Sequence, residues 1–130
     1  MGLVYTDLRL ANIADSSLDE INACALVDSG ALHLCIPKHL SIQLKLKKIS
    51  QREVRTADGN SHVVDYVGPI QVSLMGRTCI TGALVLGDEV LLGAIPMEDM
   101  DMVIIPSTQQ IVPNPKNPNI PVSLAKLNVL

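Results

Sequence analysis

The amino-acid sequence predicts a mostly β protein with a single domain and one or two short helices. In several segments apolar residues alternate with polar ones, which is the period of a strand with one buried face. Gly, Asp and Pro interrupt the chain at short intervals, as expected for strands joined by turns. The 130 residues, 48% of them apolar, suit one hydrophobic core, and the absence of Phe and Trp makes that core aliphatic.

The first third of the chain predicts three strands and a helix. Residues 4–11 alternate between apolar and polar and give a half-buried strand. Residues 21–27 are apolar on nearly both faces, which predicts a strand that is buried on both sides. A short strand follows at residues 34–36, and Pro37 suits the first position of a helix that runs to about Leu44.

The middle of the chain predicts antiparallel strands and a hairpin. Asp58-Gly59 lies between two strand-like segments, residues 54–56 and 62–64, and both residue types tolerate the positive φ of a tight hairpin turn. Gly68-Pro69 predicts a break in the strand that follows. Residues 70–74 then pair with a strand after the turn at Gly76.

The last third predicts short elements and then a tail. Residues 90–92 form an apolar strand, and Pro96 begins a short helix with Met97 and Met100 on one face. Two strands follow, at residues 102–105 and 110–112.

Prolines separate a tail from the rest of the chain. Pro113, Pro115, Pro118 and Pro121 exclude regular helix and central strand through most of this segment. We therefore predict a domain at residues 1–112 and a Pro-rich C-terminal tail at residues 113–130. The tail either wraps an outer surface of the domain or extends away from it.

Composition excludes several function classes. The net charge of −3 and the two aromatic residues give neither the positive field nor the stacking surfaces that nucleic-acid binding needs. No stretch is apolar for the length of a membrane span, so no membrane partner is expected. Three cysteines without a C-x-x-C pair indicate a reducing compartment, and we expect a cytoplasmic protein. Gly2 and Thr6 match the N-myristoylation pattern, but a strand start explains this segment better.

The first candidate for chemistry is Asp28-Ser29-Gly30-Ala31 at the end of an apolar strand. A carboxylate buried beside Leu26 would need hydrogen bonds or a shared proton, as functional acids do. Asp, Ser and Gly are also common in ordinary turns, so this motif alone decides nothing.

Two further motifs follow in a consistent order. Leu91-Leu92-Gly93 is a pair of apolar residues and a glycine just before a predicted helix. Ala57-Asp58-Gly59 is the tip of the predicted hairpin, with Tyr66-Val67-Gly68 behind it. With these motifs, the chain from about Thr6 to Val112 resembles the retropepsin-like aspartic proteases, single-domain relatives of pepsin.

The resemblance implies a closed β fold and an endopeptidase that works as a homodimer. Because the chain has a single Asp-Ser-Gly, two copies would each supply one Asp28 to a dyad that activates water. The catalytic motif would be Asp28, Ser29 and Gly30, with Ser29 bracing the paired loops. Peptide or protein substrate would lie under the hairpin, and the reaction requires neither cofactor nor metal. The residues expected to bind substrate are Ala31, Ala57, Asp58, Gly59, Asn60 and Leu92.

The chain departs from the retroviral members at two positions near the expected dimer axis. Those enzymes often have an acid four residues after the catalytic Asp and an Arg after the second glycine, where this chain has Leu32 and Ala94. Both partners of an ion pair are therefore missing together, so neither leaves an unpaired charge at the interface.

Other chemistries have weaker support. His33 and His39 are six residues apart, which does not suit a metal site on one helical face. Cys35 lies within an apolar strand and is expected to be a small buried residue, not a nucleophile. The alternative to the protease is a non-catalytic retropepsin-like module for dimerisation or peptide binding.

Overall fold

The computed structural model describes residues 3–126. Gly2, which carries the N-myristoylation pattern, and the outer ends of the predicted domain and tail lie outside the described residues. Within that range the chain forms nine strands and two short helices. In chain order they are β1 (Val4–Asn12), β2 (Ile21–Val27), β3 (Leu34–Ile36), α1 (Lys38–Gln43), β4 (Lys47–Arg55), β5 (Ser61–Leu74), β6 (Arg77–Val85), β7 (Val90–Leu92), α2 (Ala94–Asp99), β8 (Met102–Ile105) and β9 (Gln110–Pro113).

Six of the strands close into a barrel. Their order is β1-β2-β7-β3-β6-β5, and the ring closes because β1 also pairs with β5. Strand β4 lies outside the ring and pairs with β5, while β8 and β9 form a separate hairpin. The prediction of a mostly β chain with two short helices is confirmed. Each helix covers six residues, so neither is long enough to cross a membrane.

The interior of the barrel is aliphatic, as the composition predicts. Strand β1 alternates between buried and exposed residues along nearly its whole length, and one apolar cluster joins the strands to both helices. Burying a side chain of leucine size contributes about 1.5–3 kcal/mol, so this cluster is the main source of stability. Its largest fully buried side chains are Leu10, Leu34, Ile36, Leu44, Ile70, Leu74, Leu92, Met100 and Ile111.

Strand β2 differs from its prediction. Its residues Asn22 and Cys24 are exposed, and Ala25 and Val27 are its buried residues. The apolar run suggested burial on both sides, but a strand in this barrel turns only one face to the interior. The opposite face of β2 lies on the outer surface, where it becomes part of the site described below.

The predicted break at Gly68-Pro69 is also wrong. Strand β5 continues through both residues, and its pairing with β6 shifts register between Val67 and Ile70. Since the shift interrupts the ladder at that point, the missing N–H of Pro69 breaks no regular pair.

The two helices begin slightly away from their predicted starts. Pro37 is the N-cap residue of α1 and keeps an extended backbone, so the helix itself begins one residue later. Helix α2 begins two residues before Pro96, which is tolerated because the first turn of a helix makes no bond through that N–H. Met97 and Met100 are buried, as predicted.

The segment after β9 lies against Asp101, beyond the end of α2, and is held there by a buried arginine. Arg77 is 5% exposed, and its Nη1 donates hydrogen bonds to the carbonyl oxygens of Met100 and Asp101, at 3.2 and 2.8 Å. Its Nη2 donates to the carbonyl oxygen of Asn117. The guanidinium therefore joins β6, the end of α2 and the tail.

The Asp101 carboxylate is the second half of this attachment. It accepts hydrogen bonds from Asn114 Nδ2 (3.1 Å), Asn117 Nδ2 (2.7 Å) and the Val122 backbone N–H (3.1 Å). The bond from Val122, the two amide side chains and the charge of Arg77 lower the pKa of Asp101 from its ordinary value of 3.8. Of the two courses predicted for the tail, residues 114–122 follow the one along the surface.

Replacing Asp101 by Asn should therefore destabilise the protein in a pH-dependent way. The folded state lowers the pKa of this carboxyl, so its contribution is complete above pH 3.8 and is lost as pH falls through the lower, folded value. We expect urea unfolding to show wild type more stable than Asp101→Asn at pH 6, with the difference shrinking on acidification. A difference that grows as pH falls would contradict this assignment.

Candidate active site

Asp28 stands at the end of β2, where that strand runs parallel to β7. Val27 pairs with Leu92, and the Asp28 N–H donates to the Leu92 carbonyl oxygen at 3.0 Å. The parallel ladder thus continues to the backbone of Asp28 and fixes its position. Its side chain is exposed.

Residues 28–33 form a loop after β2, the Asp28 loop, which is held by hydrogen bonds within it and by bonds from α2. Within the loop, the Gly30 N–H donates to Asp28 Oδ1 at 2.9 Å and the Ala31 N–H donates to the Asp28 carbonyl oxygen at 3.2 Å. Outside it, the first residues of α2 donate to the loop, Ala94 N–H to Ala31 O (2.8 Å) and Ile95 N–H to Leu32 O (2.9 Å). The Asp28 carboxylate is therefore oriented by one backbone group, the Gly30 N–H, and the other bonds hold the main chain of the loop.

Gly93, the glycine of the second motif, allows the loop and β7 to come this close. A Cβ on Gly93 would lie 2.4 Å from the His33 carbonyl oxygen and 2.8 Å from its nitrogen. Both are backbone atoms and cannot move aside as a flexible side chain could. The second motif is therefore a packing requirement for the loop that carries Asp28.

The exposure of Asp28 corrects one expectation. The sequence suggested a carboxylate buried by its apolar strand, but in a single chain Asp28, Ser29 and Gly30 are all exposed. The strand turns Val27 inward, and the chain leaves the barrel immediately after it. Any desolvation of Asp28 must come from a second molecule or a substrate.

A row of side chains crosses the outer face of the sheet beside Asp28. Successive strands pair these residues directly, and Asp28 follows Leu26 by two residues, just past the end of β2. Leu26 and Leu91 are half-buried, whereas Cys35 and Leu84 are buried. In strand order, the apolar row consists of Tyr5, Leu26, Leu91, Cys35, Leu84 and Tyr66.

Leu92, which the sequence analysis expected to bind substrate, has no side chain in this row. The Leu92 side chain is fully buried in the core, and only its carbonyl oxygen contacts Asp28. Leu91 presents its side chain to the face of Asp28 instead. The sequence showed the motif but not which of its two leucines faces outward, because that depends on which strands pair.

The hairpin tip predicted at Asp58-Gly59 is present and is organised by one carboxylate. Asp58 Oδ1 accepts from Thr56 Oγ1 at 2.5 Å and from the Asn60 N–H at 3.0 Å. These bonds, the Thr56 hydroxyl first, lower the pKa of Asp58. Gly59 takes φ +86°, which a glycine adopts without strain. The predicted residues Ala57 to Asn60 are thus all brought together at an exposed turn.

The hairpin and the Asp28 loop meet at Tyr66. The Tyr66 ring lies over Gly82, where a Cβ would come within 2.2 Å of the ring, and it packs edge-on against His33 with centroids 5.9 Å apart. The Arg52 guanidinium lies 4.4 Å from the centroid of the same ring. Desolvation, and then the charge of Arg52, lower the pKa of His33.

The sequence analysis named His33 and Leu91 but not Arg52, and it did not place the three residues near one another. They come together through pairing between distant strands, and no local motif carries that information. The one signal present was Tyr66, one of only two aromatic residues in the chain.

The two buried thiols, Cys35 and Cys79, are not candidates for nucleophiles. Burial raises the pKa of Cys35, and burial together with the Asp99 charge raises that of Cys79 to about 11. Both groups are therefore thiols at neutral pH. Among residues 3–126, no three His, Cys, Asp or Glu side chains lie close enough together to hold a metal ion. A cavity of about 680 Å³ lies between α2 and Val122–Leu124, and Asp28 is not among its lining residues.

Neither protein-family models nor curated proteins give a match to this chain. The interpretation of the site therefore depends on its own geometry.

Gly93→Ala should displace the Asp28 loop. Because the added Cβ meets backbone atoms at 2.4 Å, we expect a loss of about 2 kcal/mol or more in the free energy of unfolding, measured by urea denaturation. Gly30→Ala is the matched comparison, since its Cβ would lie 3.1 Å from Asp28 Oδ1 and should cost about 1 kcal/mol or less. Equal stability of Gly93→Ala and wild type would contradict the close approach.

Asp58→Ala should loosen the hairpin tip without unfolding the barrel. The Asn60 amide loses its acceptor, so its hydrogen exchange should accelerate severalfold while amides of β1 remain protected. Asp88→Ala, in another exposed turn, is the control. Unchanged exchange at Asn60 would show that Asp58 does not hold the tip.

Proposed function

We propose that this chain is an aspartic endopeptidase of the retropepsin-like class, active as a homodimer. The observation that carries the proposal is the exposed Asp28 carboxylate, which accepts a hydrogen bond from the Gly30 N–H, on a backbone fixed at the joined ends of β2 and β7. It lies beside an apolar row, next to a hairpin that contacts its loop through Tyr66 and His33. An oriented acid, an apolar surface and a polar-tipped hairpin are what hydrolysis of a bound peptide requires.

A dimer is needed because one chain supplies one such acid. A two-fold axis close to Asp28 would bring it against its symmetry mate, since an isologous interface pairs like residues. Two carboxylates so close cannot both ionise without strong repulsion, and they share a proton. Ser29 stands next to Asp28 and would hydrogen bond across the axis.

Apolar side chains around Asp28 support self-association at this end of the barrel. Leu32, in the Asp28 loop, is 59% exposed, and Ile95, whose N–H binds the Leu32 carbonyl, is 40% exposed. Leu3 precedes Val4, the partner of Val27, and is 66% exposed. Leu32 and Ala94 occupy the positions of an ion pair in the retroviral enzymes, so this interface would rest on apolar contact.

The dyad would act as general base and general acid. One carboxylate takes a proton from water as the water oxygen attacks the carbonyl carbon of the peptide bond. The protonated carboxyl of the other copy donates its proton to the carbonyl oxygen. The C–N bond then breaks as a proton passes to the amine nitrogen, and the dyad returns to its shared-proton state. No covalent intermediate forms.

The apolar row and the hairpin would bind the peptide. An extended substrate passing Asp28 would lay alternate side chains on Leu26 and Leu91, while the hairpin adds backbone hydrogen bonds as another strand would. The tip residues, Ala57 to Asn60, would close over it and exclude water.

Asp28→Asn should abolish cleavage while leaving the fold and the dimer intact. Wild type should cleave members of a peptide library at mildly acidic pH, and the variant should be at least about 100-fold slower because the dyad loses its shared proton. Mass spectrometry of the products measures both. Asp88→Asn, which removes an exposed acid elsewhere, is the matched control and should cleave as wild type does.

Sedimentation at several concentrations completes this test. A dimer is expected, and Leu32→Glu should weaken it by placing like charges in the interface. A dimer that binds peptides but cleaves none would favour the non-catalytic module. A monomer at all concentrations, or equal cleavage by wild type and Asp28→Asn, would overturn the aspartic mechanism.

A further inference from the structure

Arg52 is a cation on the hairpin face that contains Tyr66. Ser50 pairs with Tyr66, so Arg52, two residues further along β4, is a diagonal neighbour on the same face. Its guanidinium lies 4.4 Å from the ring centroid. Tyr66 is in turn seated over Gly82 and against His33. The cation is thus positioned by an aromatic ring that is itself fixed on the barrel.

The charge of Arg52 has no carboxylate partner in the part of the chain that the structure describes. The ion pairs there join Arg9 to Glu20, Lys48 to Asp65, and Arg77 to Asp101. Alternation puts Glu53 and Asp65, the acids in the body of the hairpin, on the face opposite Arg52. A cation–π contact neutralises no charge and leaves guanidinium N–H groups able to donate.

We infer that Arg52 selects peptides with an Asp or Glu side chain at the position that lies beside Tyr66. The inference rests on the proposed function, because it places the peptide along the apolar row that ends at Tyr66. Arg52 lies at the Tyr66 end of that row, whose six members carry no charge, and His33 is a polar neighbour whose pKa is lowered. A planar guanidinium matches a carboxylate through two parallel hydrogen bonds.

Paired peptide mixtures test this selection by two independent readouts. In each pair one position carries Glu or Gln and the others are varied, so that the pair differs only in charge. Cleavage by wild type gives kcat/KM, and fluorescence anisotropy gives binding to Asp28→Asn, which does not depend on turnover. Arg52→Gln removes the charge, and Arg55→Gln, on the opposite hairpin face, is the matched control.

At one position wild type should prefer Glu over Gln about tenfold, in both kcat/KM and affinity. The ratio should fall to about one in Arg52→Gln, survive in Arg55→Gln, and decrease with added salt. If wild type shows no Glu preference at any position, or if the preference survives in Arg52→Gln, the proposed selection by Arg52 is wrong. Cleavage in the same experiment would still support the protease. Glu-selective binding without cleavage overturns the protease alone. Absence of both cleavage and binding overturns both.

Discussion

The site depends on one close approach, that of the β7 backbone to the loop carrying Asp28. The Asp28 N–H reaches the Leu92 carbonyl oxygen, and Gly93 then passes so near His33 that only a hydrogen atom fits in place of a side chain. Helix α2 begins there and donates two N–H groups back to the loop. The acid is therefore positioned by main-chain geometry, which tolerates changes in surrounding side chains better than a network of side-chain bonds would.

Much of the fold could be predicted because its signals are local. Alternation in β1, the Asp58-Gly59 turn and the buried methionines of α2 each depend on a few neighbouring residues, and all are present in the structure. The errors concern partners distant in sequence. One face of β2 is exposed because a strand of the closed barrel turns only its other face to the interior. Strand β5 continues through Gly68-Pro69 because its pairing with β6 shifts register there.

The candidate site divides in the same way. Asp28, its turn and the hairpin tip were found from motifs, since each motif reports on its own backbone. The motif did not show that the Leu92 side chain lies in the core and that of Leu91 on the outer face, because a one-residue offset reverses the face of a strand and pairing with β2 sets that offset. Arg52 was missed because its meeting with Tyr66 requires the hairpin to be folded.

Ring closure leaves one strand of the seven-stranded sheet with a free edge. In the seven-stranded sheet only β4 is left with a single neighbour, and its free edge carries Lys47, Lys48, Arg52 and Arg55 with Glu53. Unpaired main-chain groups at a strand edge can pair with the edge of another molecule and start a fibril. Positively charged side chains on that edge make such pairing unfavourable. The positive charge of this edge therefore acts against strand-to-strand association between copies of the chain.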